Sequence, residues 1–160
     1  MPWYFRGAGN FRVFYKPAHV GGPALPHQDN AYFNFLPPYG FVVWIALDQV
    51  TLANGAVHFS RGWHRLGQLP HNHTGNPRFG RAVMTTPDPT HHPETPVLLN
   101  PGDASLHHFL TVHRSGPNRT DHNRRGFVMD YRAGSAEPDQ NASAEQEAYK
   151  ENVFKQFGVM

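Results

Sequence analysis

Residues 100–131 read NPGDASLHHFLTVHRSGPNRTDHNRRGFVMDY. Two apolar or alternating runs, Ser105–Leu110 and Gly126–Tyr131, stand between clusters of Pro, Gly, Asn and Asp, which is how short strands joined by turns are punctuated. The same pattern recurs upstream at Phe11–Tyr15, Phe41–Leu47, Ala56–Phe59, Ala82–Thr85 and Val97–Leu99. Short strands at this density predict an all-β core, a sandwich or barrel. With 15 Gly, 15 Pro and 16% charged residues, the composition suits turns better than a helical bundle. Past Ala133 the character changes. Ala144, Ala148, Tyr149, Val153, Phe154 and Phe157 recur at helical spacing, predicting one amphipathic helix over Ser143–Phe157. Ser143 with Gln146 is its capping-box start and Gly158 its stop.

At 160 residues the chain is the size of one domain, 1–160. His19–Pro26, Pro70–Gly80 and Pro87–Pro96 are turn-rich but not biased enough to be linkers, and the sequence carries no internal repeat. A formal charge of +2 with scattered basic residues lacks the footprint of a nucleic-acid binder. With no cysteine there is no disulfide framework and no thiolate zinc site, so any metal binds through nitrogen and oxygen. The start lacks a signal-peptide layout, and no apolar run approaches the roughly 20 residues a membrane span needs. A soluble cytoplasmic protein is expected. Twelve histidines are the one unusual count.

His27-Gln28-Asp29 follows a Pro/Gly-rich turn and precedes the aromatic residues Tyr32, Phe33 and Phe35. In an extended chain residues i and i+2 share a face about 6.5–7 Å apart, so an imidazole and a carboxylate there can grip one ion. Alone, His-x-Asp is also an ordinary turn sequence. His113 on a neighbouring strand would complete two His and one carboxylate, the set that leaves half an octahedron open for a bidentate co-substrate and dioxygen on Fe(II). Zinc takes the same ligands plus water, so the triad does not fix the metal. Arg124 separates the readings. Its planar fork matches the far carboxylate of a 2-oxo acid, although a surface Arg beside Asp121 or Asp130 would look the same. By strand periodicity Arg124, Gly126 and Val128 share one face, and Arg125, Phe127, Met129 and Tyr131 the other.

The remaining histidines carry weaker readings. His71, His73, His91 and His92 fall in polar loops and are expected to be solvated. His64 reads as a structural hydrogen-bonding residue. Of His107 and His108 only one can face inward, and His107, in register with His113 by period two, is a rival ligand or a support for one.

The ordered set Tyr15-Lys16-Pro17, His27-Gln28-Asp29 with Tyr32 and Phe33, Trp44 with Ala46-Leu47-Asp48, Asn54-Gly55, Gly62-Trp63-His64-Arg65, Gly102-Asp103, and His113-x-Ser115-x-x-Asn118 with Arg124 resembles the phytanoyl-CoA dioxygenase (PhyH) family of Fe(II)/2-oxoglutarate oxygenases. The resemblance runs from about Tyr15 to Tyr131. It implies a double-stranded β-helix (jelly roll) core, iron held by His27, Asp29 and His113, 2-oxoglutarate held by Arg124 with Ser115, and Trp44 lining the co-substrate pocket. Tyr32, Phe33, Phe35 and Trp44 are candidates for the neighbourhood of a small-molecule substrate. The sequence departs from the family at Arg61-Gly62-Trp63-His64, where Pro-Gly-Ser/Thr-His is usual, and it reaches His27 without the family's long N-terminal portion.

The leading reading is hydroxylation of a small or carrier-bound molecule with Fe(II), 2-oxoglutarate and dioxygen. Asp29 stands where a halogenase would carry a small residue. The rivals are a catalytically weakened metal-binding jelly roll with a binding or regulatory role, and a small zinc hydrolase. A homodimer is the expected response to any sheet surface left uncovered.

Overall fold

Alternation of large inward and outward residues along each strand builds two facing antiparallel sheets. The computed structural model describes residues 5–75, 80–85, 88 and 90–156. In chain order the elements are β1 (Phe5–Lys16), β2 (Ala24–His27), α1 (Asn30–Phe33), β3 (Phe35–Leu36), β4 (Gly40–Ala46), β5 (Val57–Ser60), β6 (His71–His73), β7 (Arg81–Val83), β8 (Glu94–Val97), β9 (Ala104–His108), β10 (His113–Ser115), β11 (Arg124–Ala133), β12 (Glu137–Pro138) and α2 (Gln140–Gln156). The first sheet runs β1-β11-β4-β9 and the second β2-β10-β5-β8. Two four-stranded antiparallel sheets packed in this order form the expected jelly roll.

Period-two patterning places the core between the sheets. Gly40, Val42, Trp44 and Ala46 are the buried residues of β4, and Arg124, Gly126, Val128, Asp130 and Ala133 those of β11. A methyl at Gly126 would lie 1.9 Å from Trp44, and one at Gly40 2.0 Å from the Phe109 ring. Both positions therefore exclude any side chain, because an aromatic ring occupies the space. Phe35, Val42, Trp44, Phe109 and Val128 fill the interior.

The predicted strands are present with shifted ends, Val97–Leu99 becoming β8 at Glu94–Val97. β2 was missed because Pro26 within Ala24-Leu-Pro-His reads as a turn, and β6 because His71-Asn-His73 is polar. The helix begins earlier than Ser143. The Asp139 side chain accepts the N–H groups of Asn141 (3.0 Å) and Ala142 (3.2 Å), so Asp139 is the cap. Gln146 faces inward instead of closing a capping box, accepting a hydrogen bond from Asn34 at 2.8 Å. Tyr149 and Val153 lie on the inward side, whereas Ala144 and Ala148 are exposed. The Tyr149 ring stacks on His73 at 3.8 Å, tying α2 to the β6 hairpin. Phe157 and Gly158 lie outside the described residues. No helix among the described residues is long and apolar enough to cross a membrane.

The outer face of the first sheet is apolar and open. Phe11 (71%), Leu106 (65%), Val13 (55%) and Tyr15 (52%) are exposed there, beside Phe127 against Phe11 and the stacked pair Phe41–Tyr131. A contiguous patch of this kind drives association. The isolated chain is expected to self-associate in sedimentation velocity, and Phe11→Glu with Leu106→Lys to shift it toward monomer. A wild type that sediments as a clean monomer would contradict this.

Candidate metal centre and its anion pocket

β2 ends on His27 and β10 begins on His113, and the two residues are direct cross-strand partners. Opposed residues of an antiparallel pair hold their Cβ atoms about 5 Å apart, and here the ring centroids are 4.3 Å apart. Asp29 is not on an extended strand, as its spacing suggested. The chain turns after His27 and Asp29 caps α1 in a helical conformation (φ −63°, ψ −33°). That turn brings Asp29 Oδ1 to 3.7 Å from both His27 Nε2 and His113 Nε2. One ligand atom from each of the three residues falls within 4.8 Å of the others, so His27, Asp29 and His113 can hold one ion together.

Hydrogen bonds fix which atoms face that ion. His27 Nδ1 donates to the Leu25 carbonyl at 2.7 Å and His113 Nδ1 to the Thr111 carbonyl at 2.9 Å, leaving both Nε2 lone pairs inward. His107 Nε2 lies 2.8 Å from Asp29 Oδ2, which turns Oδ1 toward the histidines. Burial pushes His113 down to about 3, so it is a neutral donor at ordinary pH. Burial alone would raise the Asp29 carboxyl, but the imidazoles of His113, His107 and His27 hold it well below the usual carboxylate range.

Gln28 organises the surrounding loops. Fully buried, it donates to the carbonyls of Gly67 (2.9 Å) and Leu110 (2.8 Å) and accepts from Leu69 N–H (2.8 Å). Its own N–H donates to His71 Nε2 at 3.1 Å. His71 is thus a half-buried structural residue and not the solvated one its loop implied.

At the other end of the interior two cations are buried together. Arg124 is 2% exposed and Lys16 7%, paired partners on neighbouring strands. Among the described residues neither forms an ion pair with a carboxylate; Arg124 donates to the Gly55 carbonyl at 2.8 Å and Lys16 to that of Gly22. Arg124 Nε has no partner. Burial first, then the charge of Arg124, pushes Lys16 down to about 8, and burial lowers Arg124 to about 10. The Trp44 ring lies 5.3 Å from the guanidinium. Buried cations without counter-charge are costly, so this arrangement fits an anion.

The phytanoyl-CoA dioxygenase (PhyH) family profile matches residues 4–126. The chain belongs to that family. A probable alpha-ketoglutarate-dependent hypophosphite dioxygenase of Stutzerimonas stutzeri is 31% identical over 135 residues, covering 81% of this chain and 46% of that relative. EvdO2 from Micromonospora carbonacea var. aurantiaca, solved with 2-oxoglutarate, superposes with a TM-score of 0.69 at 33% identity, covering 86% of this chain and 54% of EvdO2. The epimerase SnoN, solved with Fe3+, alpha-ketoglutarate and nogalamycin RO, gives 0.66 at 30% identity over 82% of this chain and 51% of SnoN. The chain spans about half the length of the curated relatives it matches.

In this PhyH chain the structure brings His27, Asp29 and His113 together, and separately Arg124 with Trp44. Ser115 is buried in β10, and Arg125 faces outward onto Asp48 (2.8 Å), so the face assignment of β11 holds. Tyr32 stands edge-on to His27, with centroids 5.6 Å apart. Phe33 and Phe35 instead pack on Phe109 at 4.8 and 5.9 Å, as core. His107 and His113 do not share a strand: the chain turns at Phe109–Val112 and changes sheets, yet His107 still reaches Asp29. The unusual Gly62-Trp63 turn is accommodated by Gly62 at φ +82°, with Trp63 buried on Val83 and Val112. No role of their own was assigned from sequence to Lys16, Gln28 or Phe59, the last of which lies ring to ring with His107 at 4.9 Å.

The depressed His113 sets a pH dependence for the metal-free protein. An unfolded His takes its proton near 6.5 and the folded one near 3, so the unfolded state binds more protons between those values and stability falls as pH falls through them. From pH 6.5 to 5 this amounts to about 2 kcal/mol. Denaturant melts of apo wild type should show that loss, and His113→Gln should flatten it.

Proposed function

We propose that residues 1–160 act as one oxygenase domain in which His27, Asp29 and His113 hold Fe(II), 2-oxoglutarate binds as co-substrate, and a small molecule is hydroxylated. The observation that carries the reading is the pairing, in one interior, of a two-His-one-carboxylate cluster with the uncompensated cations Arg124 and Lys16. The donor set fits the metal, because both Nε2 lone pairs and Asp29 Oδ1 converge while their other atoms are occupied. The orphaned Arg124 Nε fits the far carboxylate of the co-substrate. A zinc hydrolase has no need of a buried two-cation anchor.

When bound, iron with 2-oxoglutarate supplies reductive activation of dioxygen, one oxygen atom entering the substrate and the other succinate as CO2 leaves. The chain's own residues bind, orient and exclude water. Arg124 presents its fork to the carboxylate, Lys16 adds a second charge, Ser115 donates a hydrogen bond to it, and Trp44 closes one wall. His107 restrains Asp29 so that one oxygen faces the metal.

Three measurements test this. Iron content after anaerobic reconstitution should collapse in His27→Ala, Asp29→Ala and His113→Ala and be unchanged in His91→Ala and His92→Ala. The visible charge-transfer band of the anaerobic Fe(II)–2-oxoglutarate complex should appear in wild type. A charge-assisted contact in a dry pocket contributes on the order of 2–4 kcal/mol, so Arg124→Ala should weaken 2-oxoglutarate binding roughly 30- to 1,000-fold while sparing iron, with Arg124→Lys recovering only part. Lys16 is charged below about 8 and neutral above it, so 2-oxoglutarate affinity should fall as pH rises through that value. Lys16→Met should bind weakly at every pH and lose that dependence. Absence of the band in iron-loaded wild type refutes the reading.

A further inference from the structure

Away from the cations, a second polar group lies inside the first sheet. Asp130 on β11 is the cross-strand partner of Val42 on β4, and Val42 of His107 on β9. Opposed residues share a face, so Asp130 and His107 project from the same inner surface with only Val42 between them, their Cα atoms roughly 10 Å apart. Asp130 is 2% exposed and His107 8%. Arg12, on the neighbouring β1, pairs with Asp130 Oδ2 and lies 5.3 Å from the Phe33 ring.

Each of these residues has one atom committed and one orphaned. The orphans are Asp130 Oδ1, His107 Nδ1 and Arg12 Nε, all buried without a partner. Asp29 can only accept, so His107 Nε2 donates in their 2.8 Å contact and Nδ1 is left over. The row thus offers a carboxylate acceptor, a guanidinium donor and a ring nitrogen. Unmade hydrogen bonds at such depth are expensive, which marks the row as a place where something binds. Its position ties it to the metal cluster: the His107 ring centroid is 4.7 Å from that of His113.

Charge selects the ligand class. Arg12 and Asp130 cancel each other, so an ammonium or carboxylate entering here would lose its hydration with no net counter-charge. A hydroxyl is donor and acceptor in one group. Two adjacent hydroxyls are the smallest set that meets all three orphans, one donating to Asp130 Oδ1, one meeting His107 Nδ1, and either accepting from Arg12 Nε. We propose that Asp130, His107 and Arg12 form the specificity site for a neutral, hydroxylated substrate carrying a vicinal diol, held with the carbon bearing those hydroxyls beside the metal cluster. This rests on the iron and 2-oxoglutarate reading above.

The experiment uses the full chain loaded anaerobically with Fe(II) and 2-oxoglutarate, then with nitric oxide as a dioxygen surrogate. The electron paramagnetic resonance line shape of the nitrosyl adduct is followed as trans-1,2-cyclohexanediol, methyl glucoside or myo-inositol is added, with cyclohexylamine and cyclohexanecarboxylate as charged counterparts. At least one polyol should perturb the signal saturably in wild type, and neither charged ring should. Asp130→Leu and His107→Phe should weaken that polyol tenfold or more. Asp130→Asn keeps the shape of the side chain but has one acceptor oxygen for two duties, so it should fold and still weaken that polyol about tenfold. Silence from every polyol with the charge-transfer band intact overturns this proposal alone. So does a response to the charged rings instead, or a polyol affinity unmoved by His107→Phe, which would mean that the row is a structural network. Loss of the band itself in wild type overturns the iron reading and this proposal together.

Discussion

The pairing of His27 with His113 across β2 and β10 is the constraint on which the rest of the site depends. It is a backbone event: once the register of that strand pair is set, two imidazoles face each other, and a slip of one residue would send both to the opposite face. β10 is only three residues long and cannot fix its register alone. Its other edge pairs with β5, where Phe59 opposes His113, and Gln28 clamps the loops at Gly67, Leu69 and Leu110. The ligand cluster is therefore held by neighbours that are not themselves ligands.

Among the buried polar groups outside the ligand cluster, two kinds stand apart. Gln28, Asn54 and Asn118 have their side-chain atoms matched by backbone partners and act as internal staples; Asn118, for example, donates to the carbonyls of Lys16 and His122. Lys16, Arg124, Asp130 and His107 are incompletely matched. Matched groups specify loops, whereas unmatched ones, kept at a cost in stability, mark where a ligand completes the interior.

Much of this was legible in sequence because period-two alternation is a local signal. The faces of β11, and with them the inward Arg124 and outward Arg125, followed directly. His27, Asp29 and His113 were legible by type and by resemblance, but their geometry was not: Asp29 enters through a helical turn that i, i+2 reasoning on a strand does not contain. The helix cap was misplaced because Asp139 and Ser143 are both good caps, and only the chain's path after β12 decides between them. The structural role of His71 and the change of sheets between His107 and His113 are tertiary facts with no local trace. Phe33 and Phe35 pack on the core around Phe109, and Phe35 also borders a cavity, because aromatic residues near a ligand motif read equally well as core or pocket.

The two inward carboxylates show how one interior sustains two chemistries. Asp29 is surrounded by His27, His107 and His113, whose combined influence outweighs burial and keeps the carboxyl ionised, as a metal ligand requires. Asp130 lies within the same field, but burial dominates there and raises it to about 6, with Arg12 opposing and the negative charge of Asp29 adding to the rise. The same charge that suits Asp29 to a cation makes a second full anion nearby unfavourable, so Asp130 is held to a compact pair with Arg12. His107 donates to Asp29, and its other ring nitrogen is buried without a partner. Separating a cation-binding carboxylate from a charge-neutral polar one through a single imidazole is what lets a metal cluster and a site for an uncharged ligand coexist in so small a core.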